Sequence, residues 1–405
     1  MSIDLPTRRV PMTNVKPKPE IRITGIELHS IAANDASNWT FMRISCDRGL
    51  LGWGEVTLRS HEGIMHAVLG LLRGHLVGKT ADDLEGLRRA LPSFPSGRAG
   101  NAVLSGLDQC LFDLEAQAAG VPLHRLLSDR PRRPLRAYAT VNRSIRERTP
   151  HGFAEATKAA AKAGFEGIKI MPFDCALPHT VRTVEGRQEF TRAIERIAAV
   201  RDALPTTTDL MVDCHWRLDE TAAIDFIDEV AAFGLRWIEC PVPESPLWHE
   251  AIGRLRKKAN SRNMSLAGGE NAVGVAGFAP LIKAGLYDVV MPDIKYCGGH
   301  REFSAICDLA AQSSVTISPH NPSGPVAHAH TVHACTAIGL TAAVEQQYDE
   351  SPLFDGCMDS PSPALQAGRF ECSEAPGLGA AVDLSVVRLH PIRSKPFNAA
   401  DPSFT

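Results

Sequence analysis

Apolar and polar residues alternate in two stretches near the start of the chain, IRITGIELHSIA and TFMRISCDRGLLGWGEVT. A period of two predicts a meander of strands, with Asp-Arg-Gly supplying a turn. The period then becomes helical in HEGIMHAVLGLLRGHL, ADDLEGLRRAL and AGNAVLSGLDQCLFDLEAQAAG, the last closed by Gly120. From Leu135 the texture changes again. Short apolar runs recur as LRAYATVN, GFEGIKIM, DLMVDCHW, LRWIECP, SLAGGE, DVVMPDI, VTISPH and TAAVEQQ. Helical stretches such as FTRAIERIAAVRDAL and TAAIDFIDEVAAFG separate most of them. Strands alternating with helices in this number predict an α/β fold, a parallel (β/α)7β TIM-like barrel. An open doubly wound sheet would want a glycine-rich phosphate turn after the first strand, and the sequence has none there. Beyond residue 365 the pattern turns irregular, in GRFECSEAPGLGAAVDLSVV. The expected organisation is a tail over 1–20, an α+β capping domain over 21–132, a barrel over 133–365, and a C-terminal segment, 366–405, that returns to complete the cap.

The chain has 405 residues, more than one core of ordinary size accommodates, which fits a barrel with a cap. A net charge of -3 gives no argument for nucleic acid or an anionic membrane as partner. The ten cysteines are scattered with no CxxC pair, as expected of free thiols in a reducing cytosol. The polar, proline-rich start lacks the apolar run of a signal peptide, and no stretch is long and apolar enough to suggest a membrane span. A cytoplasmic location is the expectation.

The chemistry sits where the strands stop. The successive runs reach Lys169, Asp213, Glu239, Glu270, Asp293, His320 and Glu345 at or just past their ends. In a barrel those ends converge on one face, the face that carries active sites. Any one acid in such a place reads equally well as a helix cap or a surface ion pair. Asp213, Glu239 and Glu270 come from adjacent strands, however, and three buried carboxylates need a common cation. An all-oxygen set favours a hard ion, Mg2+ before Zn2+, with Ca2+ and Mn2+ still open. His320 stands between Pro319 and Pro322, a rigid mount that suits a proton-transfer group.

The strings WIECPVPE, PDIKYCGG and SPHNPSGP, in that order and after Val-Asp-Cys-His, resemble the enolase superfamily and its mandelate racemase-like subgroup. The resemblance covers nearly the whole chain. The separations between Asp213, Glu239, Glu270, Asp293 and His320 are 26, 31, 23 and 27 residues, the longer one suggesting an insertion around KKANSRNM. The resemblance implies that Asp213, Glu239 and Glu270 ligate Mg2+ and that Asp293 and His320 form a dyad with His320 as base. Racemases of this type usually carry Lys-x-Lys on the second barrel strand; here Met171 holds the second position, and Met moves no proton. Asp213-x-His215 and SPHNPSGP are similar to galactonate dehydratase-like members, which implies that His215 protonates a departing β-hydroxyl. The implied activity is hydro-lyase chemistry on an acid sugar, giving a 2-keto-3-deoxy product. A racemase, epimerase or cycloisomerase acting α to a carboxylate on the same scaffold is the alternative, and a binding protein that has lost catalysis is a second.

Lys169 is expected to hold the substrate carboxylate, with Glu345 hydrogen bonding it if protonated, or Gln346 or Gln347 in its place. Arg59 and His61 in the cap loop TLRSHEG, Asp174 in MPFDCALPHT, and Asn271 beside Glu270 are candidate substrate contacts; the loop ASNW is a second cover for the barrel mouth. Lys295 is expected to pair with a carboxylate. His328, His330 and His333 are expected on a polar helix face or a subunit contact. The partner is a small-molecule carboxylate, and a homo-oligomer is the expected assembly.

Overall fold

The computed structural model describes residues 20–35, 37–80, 97–174, 176–360 and 363–392. The helix expected in ADDLEGLRRAL and the first nineteen residues of the tail lie outside them, as do the chain end from 393, Ala36 of ASNW and Cys175 of MPFDCALPHT. No helix among the described residues is long and apolar enough to cross a membrane.

The N-terminal meander is a three-stranded antiparallel sheet of β1 (Ile23–Ala32), β2 (Asn38–Cys46) and β3 (Leu51–Glu55). Helices α1 (Glu62–Leu76) and α2 (Arg98–Ala119) cover it, followed by the short α3 (Leu123–Leu127). β3 lies hard against α2. A Cβ at Gly52 would meet the Cys110 carbonyl oxygen at 2.3 Å, and one at Gly54 the Gly106 carbonyl oxygen at 2.6 Å, so the Gly-Trp-Gly sequence is a packing requirement. Gly120 ends α2 in the left-handed region, φ 69°. Ile26, Met42, Ile44, Val68, Leu72, Leu107 and Leu111 share this unit's core.

The barrel runs through eight parallel strands: β4 (Leu135–Thr140), β5 (Gly167–Ile170), β6 (Asp209–Asp213), β7 (Leu235–Glu239), β8 (Ser265–Gly268), β9 (Val289–Val290), β10 (Thr316–Ile317) and β11 (Val344–Gln347). Each pairs with the next in order from β4 to β10, and β11 returns to pair with β4. Ser318 Oγ, donating to the Ala343 carbonyl at 3.0 Å, links the two ends of the ring. Seven helices connect the strands: α4 (Pro150–Lys162), α5 (Val184–Ala203), α6 (Glu220–Glu229), α7 (His249–Asn260), α8 (Gly274–Lys283), α9 (Gly299–Gln312) and α10 (Pro325–Ile338). Thr149, Thr183 and Asp219 cap α4, α5 and α6 by accepting from backbone N–H groups.

Inside the barrel, Tyr138, Met211, Trp237, Ala267, Val289 and Met291 form an apolar floor, with the Tyr138 and Trp237 rings edge to face at 5.6 Å. Residues two further along a strand point the same way. Asp213 therefore stands above Met211, and Glu239 above Trp237. The C-terminal segment packs back on the first sheet: Leu378, Val382 and Val387 join Trp39, Phe41 and Trp53 of β2 and β3 and Val326 and Ala329 of α10 in one apolar cluster.

Candidate active site

Asp213 and Glu239 are the last residues of β6 and β7, whereas Glu270, Asp293 and His320 lie two or three residues beyond the ends of β8, β9 and β10. The last strands are shorter than the apolar runs suggested, because the Pro292 and Pro319 positions take the backbone out of the ladder. Oxygens of Asp213, Glu239 and Glu270 all come within 4.8 Å of one another, and all three side chains are buried. Burial, together with the neighbouring carboxylates, disfavours the Glu239 charge against the pull of Lys169, and burial likewise raises Glu270. A set of three buried oxygen donors that cannot comfortably hold its own charge fits a hard divalent cation, Mg2+ in kind.

The dyad is formed. His320 Nδ1 lies 2.8 Å from Asp293 Oδ2, and Nε2 lies 3.4 Å from Glu270 Oε2, so the second nitrogen faces the carboxylate cluster. Lys295 pairs with the dyad acid itself: its Nζ is 2.9 Å and 2.7 Å from the two Asp293 oxygens and also donates to Ser323 Oγ. Burial opposes the Asp293 charge, but Lys295 and His320 outweigh it and hold the carboxyl at about 2. An ionised Asp293 fixes the His320 tautomer, with the proton on Nδ1 and the lone pair on Nε2.

Lys169 is buried between two acids, 2.6 Å from Glu239 Oε1 and 3.0 Å from Glu345 Oε1. Burial works against its charge, but Glu239 and Glu345 prevail and raise its pKa well above the ordinary lysine value. It is a fixed cation. Glu345 is the residue that meets Lys169, while Gln347, two further along the strand, donates to the Thr140 carbonyl at 2.9 Å; Glu345 differs from the expected protonated donor. Burial disfavours its charge, yet Lys169, His320, Thr140 and the Asn321 N–H hold it at about 2. Oε1 takes the Thr140 hydroxyl and Oε2 takes the Asn321 N–H at 2.8 Å, so Glu345 is an ionised clamp for Lys169 and the His320 loop.

His215 follows β6 in a left-handed backbone turn, φ 49°, with Trp216 at φ 57° and Cys240 at φ 45°. Such conformations cost non-glycine residues about 1–3 kcal/mol each and persist only where surroundings enforce them. Here the Trp216 N–H donates to the Cys240 carbonyl at 2.7 Å and the His215 N–H to Asp213 Oδ1 at 2.8 Å. The imidazole lies against the Trp216 ring, centroids 4.7 Å apart. His215 Nδ1 and Asn271 Oδ1 are buried polar atoms with no partner among the described residues.

The remaining candidates are placed elsewhere. Asp174 is bound by Arg196 at 2.7 Å and by Arg148, two guanidinium groups that occupy its carboxylate. Arg59 and His61 sit half-buried in the cap loop, with His61 Nδ1 donating to the Arg59 carbonyl at 2.7 Å. His328, His330 and His333 are interior, which corrects the polar-face expectation: α10 is buried nearly all round between the cap, the barrel and the C-terminal segment. His330 bonds His300 and the Trp53 carbonyl, both at 2.9 Å. His124, His333 and Cys372 also gather within 4.8 Å, but the His124 N–H occupies His333 Nδ1 and Cys372 Sγ lies 3.4 Å from His124 Nδ1, the pattern of a hydrogen-bonded core.

Sequence reasoning missed the bracing groups. Trp237 Nε1 donates to Glu239 at 3.1 Å. Glu244, the last residue of WIECPVPE, accepts from the Gly269 N–H at 2.6 Å and from Trp216 Nε1 at 3.2 Å, tying together the turns that carry Glu270 and His215. Glu55, at the end of β3, accepts from the Gly324 and Ala327 N–H groups at 2.9 and 2.8 Å, the amino end of α10 just after the His320 loop.

A barrel whose strand ends carry three carboxylates and an Asp–His pair beneath an α+β cap defines a class, and comparison with known families places the chain in it. Residues 152–386 match the enolase C-terminal domain-like family and residues 13–128 the mandelate racemase/muconate lactonizing enzyme N-terminal domain. The chain belongs to the enolase superfamily, in its mandelate racemase-like branch. It is 26% identical over 359 residues to the D-galactonate dehydratase of Ralstonia pickettii, covering 86% of this chain and 90% of that one. It is 25% identical over 406 residues to the D-xylonate dehydratase of Haloferax volcanii, covering 97% and 94%. Among solved structures, the 3,6-anhydro-D-galactonate cycloisomerase of Zobellia galactanivorans superposes with a TM-score of 0.78 at 25% identity, covering 91% and 99%. A putative dehydratase of Zymomonas mobilis shares the fold, with a TM-score of 0.80 at 23% identity over 91% and 98%.

Proposed function

We propose that this protein is a Mg2+-dependent acid-sugar dehydratase. Relatives named D-galactonate and D-xylonate dehydratase support that class. The observation that carries the reading is the state of Lys169. Its ammonium is held between Glu239 and Glu345, and Met171 follows where a second lysine base would stand. One face of the site thus has a base, His320, and the other a fixed cation, which disfavours two-base racemisation and suits elimination.

Asp213, Glu239 and Glu270 would hold the ion, and when bound it supplies positive charge for a substrate carboxylate on which negative charge builds. His320 Nε2 takes the proton from C2, while Asp293 stabilises the imidazolium that results. The C2–H electron pair passes toward the carboxylate and then into a C2–C3 double bond as the C3–O bond breaks. His215 gives its proton to the departing oxygen, so water leaves rather than hydroxide. The enol that remains tautomerises to the 2-keto-3-deoxy acid. Lys169 keeps the carboxylate end oriented.

The test is a panel of sugar acids with semicarbazide detection of 2-keto products. His320→Asn is expected to lower kcat by about 100- to 10,000-fold. His215→Asn is expected to lose dehydration while C2 hydrogen still exchanges in D2O. Undiminished dehydration by His215→Asn would remove it from the role of acid, and exchange without any keto acid from the native protein would point to an isomerase.

A further inference from the structure

The rim of the barrel opposite the metal-ligand strands carries a cation that the motifs do not explain. Arg143 follows the end of β4 and Glu350 follows the end of β11, and because these strands pair, the two loops are neighbours. Arg143 Nη1 lies 2.8 Å from Glu350 Oε1. In the ring of eight strands, β11 and β4 stand across the mouth from β7 and β8, which bring Glu239 and Glu270. A substrate carboxylate placed by Glu239 and Glu270 would have Arg143 on the opposite side of the mouth.

The position reaches the mouth. Besides Glu350, the carboxylate of Glu345 acts on Arg143, and Tyr296, from the loop after β9, lies near it. Tyr296 in turn donates its hydroxyl to the Thr57 carbonyl of the cap loop at 2.8 Å. The Glu350 side chain is almost wholly buried, and its backbone carbonyl accepts from Asn34 of the cap at 3.0 Å. Arg143, by contrast, keeps 34% of its side chain exposed. A guanidinium has five N–H donors, and the bond to Glu350 uses one. A buried acid thus holds a donor-rich group at the opening.

We infer that Arg143 is a specificity-determining residue that hydrogen bonds the hydroxyls on the far carbons of a five- or six-carbon aldonic acid, with Glu350 as its positioning residue. The inference rests on the dehydratase reading. Glu350 already balances the Arg143 charge, so the pair suits neutral hydroxyls and gives a second carboxylate, as in an aldaric acid, little net attraction.

The experiment measures kcat and KM of native protein and Arg143→Leu on five- and six-carbon aldonic acids, together with the Ki of D-glycerate, a 2,3-dihydroxy acid too short to span the mouth. We expect kcat/KM on the long acids to fall about 10- to 100-fold, mostly through KM, with the glycerate Ki unchanged within about twofold. Arg143→Lys keeps the charge without the fork and is expected to lose part of that factor; it and Glu350→Gln carry the test if Arg143→Leu does not fold. Glu350→Gln is expected to raise kcat/KM for aldaric over aldonic acids by about fivefold or more, by freeing the Arg143 charge. Equal losses on long acids and glycerate, no loss on either, or an unchanged acid preference in Glu350→Gln would overturn the assignment. Native protein that turns over no sugar acid would overturn the dehydratase reading and this assignment with it, an outcome distinct from active protein indifferent to Arg143.

Discussion

Lys295 shows what a buried charge demands. It has three acceptor contacts, two on Asp293 and one on Ser323, and is shut off from water. Removing one partner of such a pair costs about 3–5 kcal/mol, because the other is left uncompensated. We expect Lys295→Met to lose stability of that order in urea unfolding, and the double variant Lys295→Met/Asp293→Asn to recover part of it. At this scale the sequence was a good guide to what the strand ends carry. The pairing of Lys295 with an acid was readable from the two-residue spacing to Asp293. The role of Glu345 was not, since its ionised state depends on Lys169, Thr140 and Asn321, which meet only in the fold. Asp174 misled for the same reason: nothing near it in sequence announces Arg148 and Arg196.

At the scale of one element, α10 is the instructive case. Histidines at i, i+2 and i+5 among alanines look like a polar stripe, yet this helix is enclosed on nearly every side. Burial disfavours the protonated form and lowers His330 to about 4 and His333 to about 3, and it holds His300 well below its ordinary value. These folded-state values lie below the ordinary one near 6.5, so the stability they leave intact above that pH is lost as pH falls toward 4. For His330 alone the loss at pH 5 comes to about 2 kcal/mol. Equilibrium unfolding at pH 7 and pH 5 is expected to show a smaller acid-induced loss in His330→Gln than in native protein, by that amount. The sequence placed a histidine-bearing helix here but not the number of neighbours around it, because enclosure depends on the returning C-terminal segment and the cap. The brevity of β9 and β10 escaped for a related reason, since an apolar run continues past the point where proline ends the ladder.

Across the whole molecule, the proposed metal set joins β6, β7 and the loop after β8, so occupancy is expected to stabilise the native barrel against an unfolded chain that has no such site. Mg2+ at about 100 times its Kd should add about 2.7 kcal/mol, read as a rise in Tm. The rise should vanish in Glu270→Gln, and equilibrium dialysis should show the matching loss of binding. The alternation of strands and helices made the barrel and cap legible, because a period-two run and a 3.6-residue run differ over a few turns. The seams between them were opaque. The link between β3 and the amino end of α10 spans 269 residues, and that between Arg143 and Glu350 spans 207; pattern reading has no access to such distances.

The first of those seams limits how the molecule can be recombined. The carboxylate of Glu55 belongs to the cap, but the backbone it grips is the barrel loop leaving His320, and a Cβ on Gly324 would press within 2.9 Å of its oxygens. The mount of His320 is therefore shared property. A chimaera that joins this barrel to a foreign cap must import an acid at that spot, or the loop after His320 loses the acceptor for its Gly324 and Ala327 N–H groups.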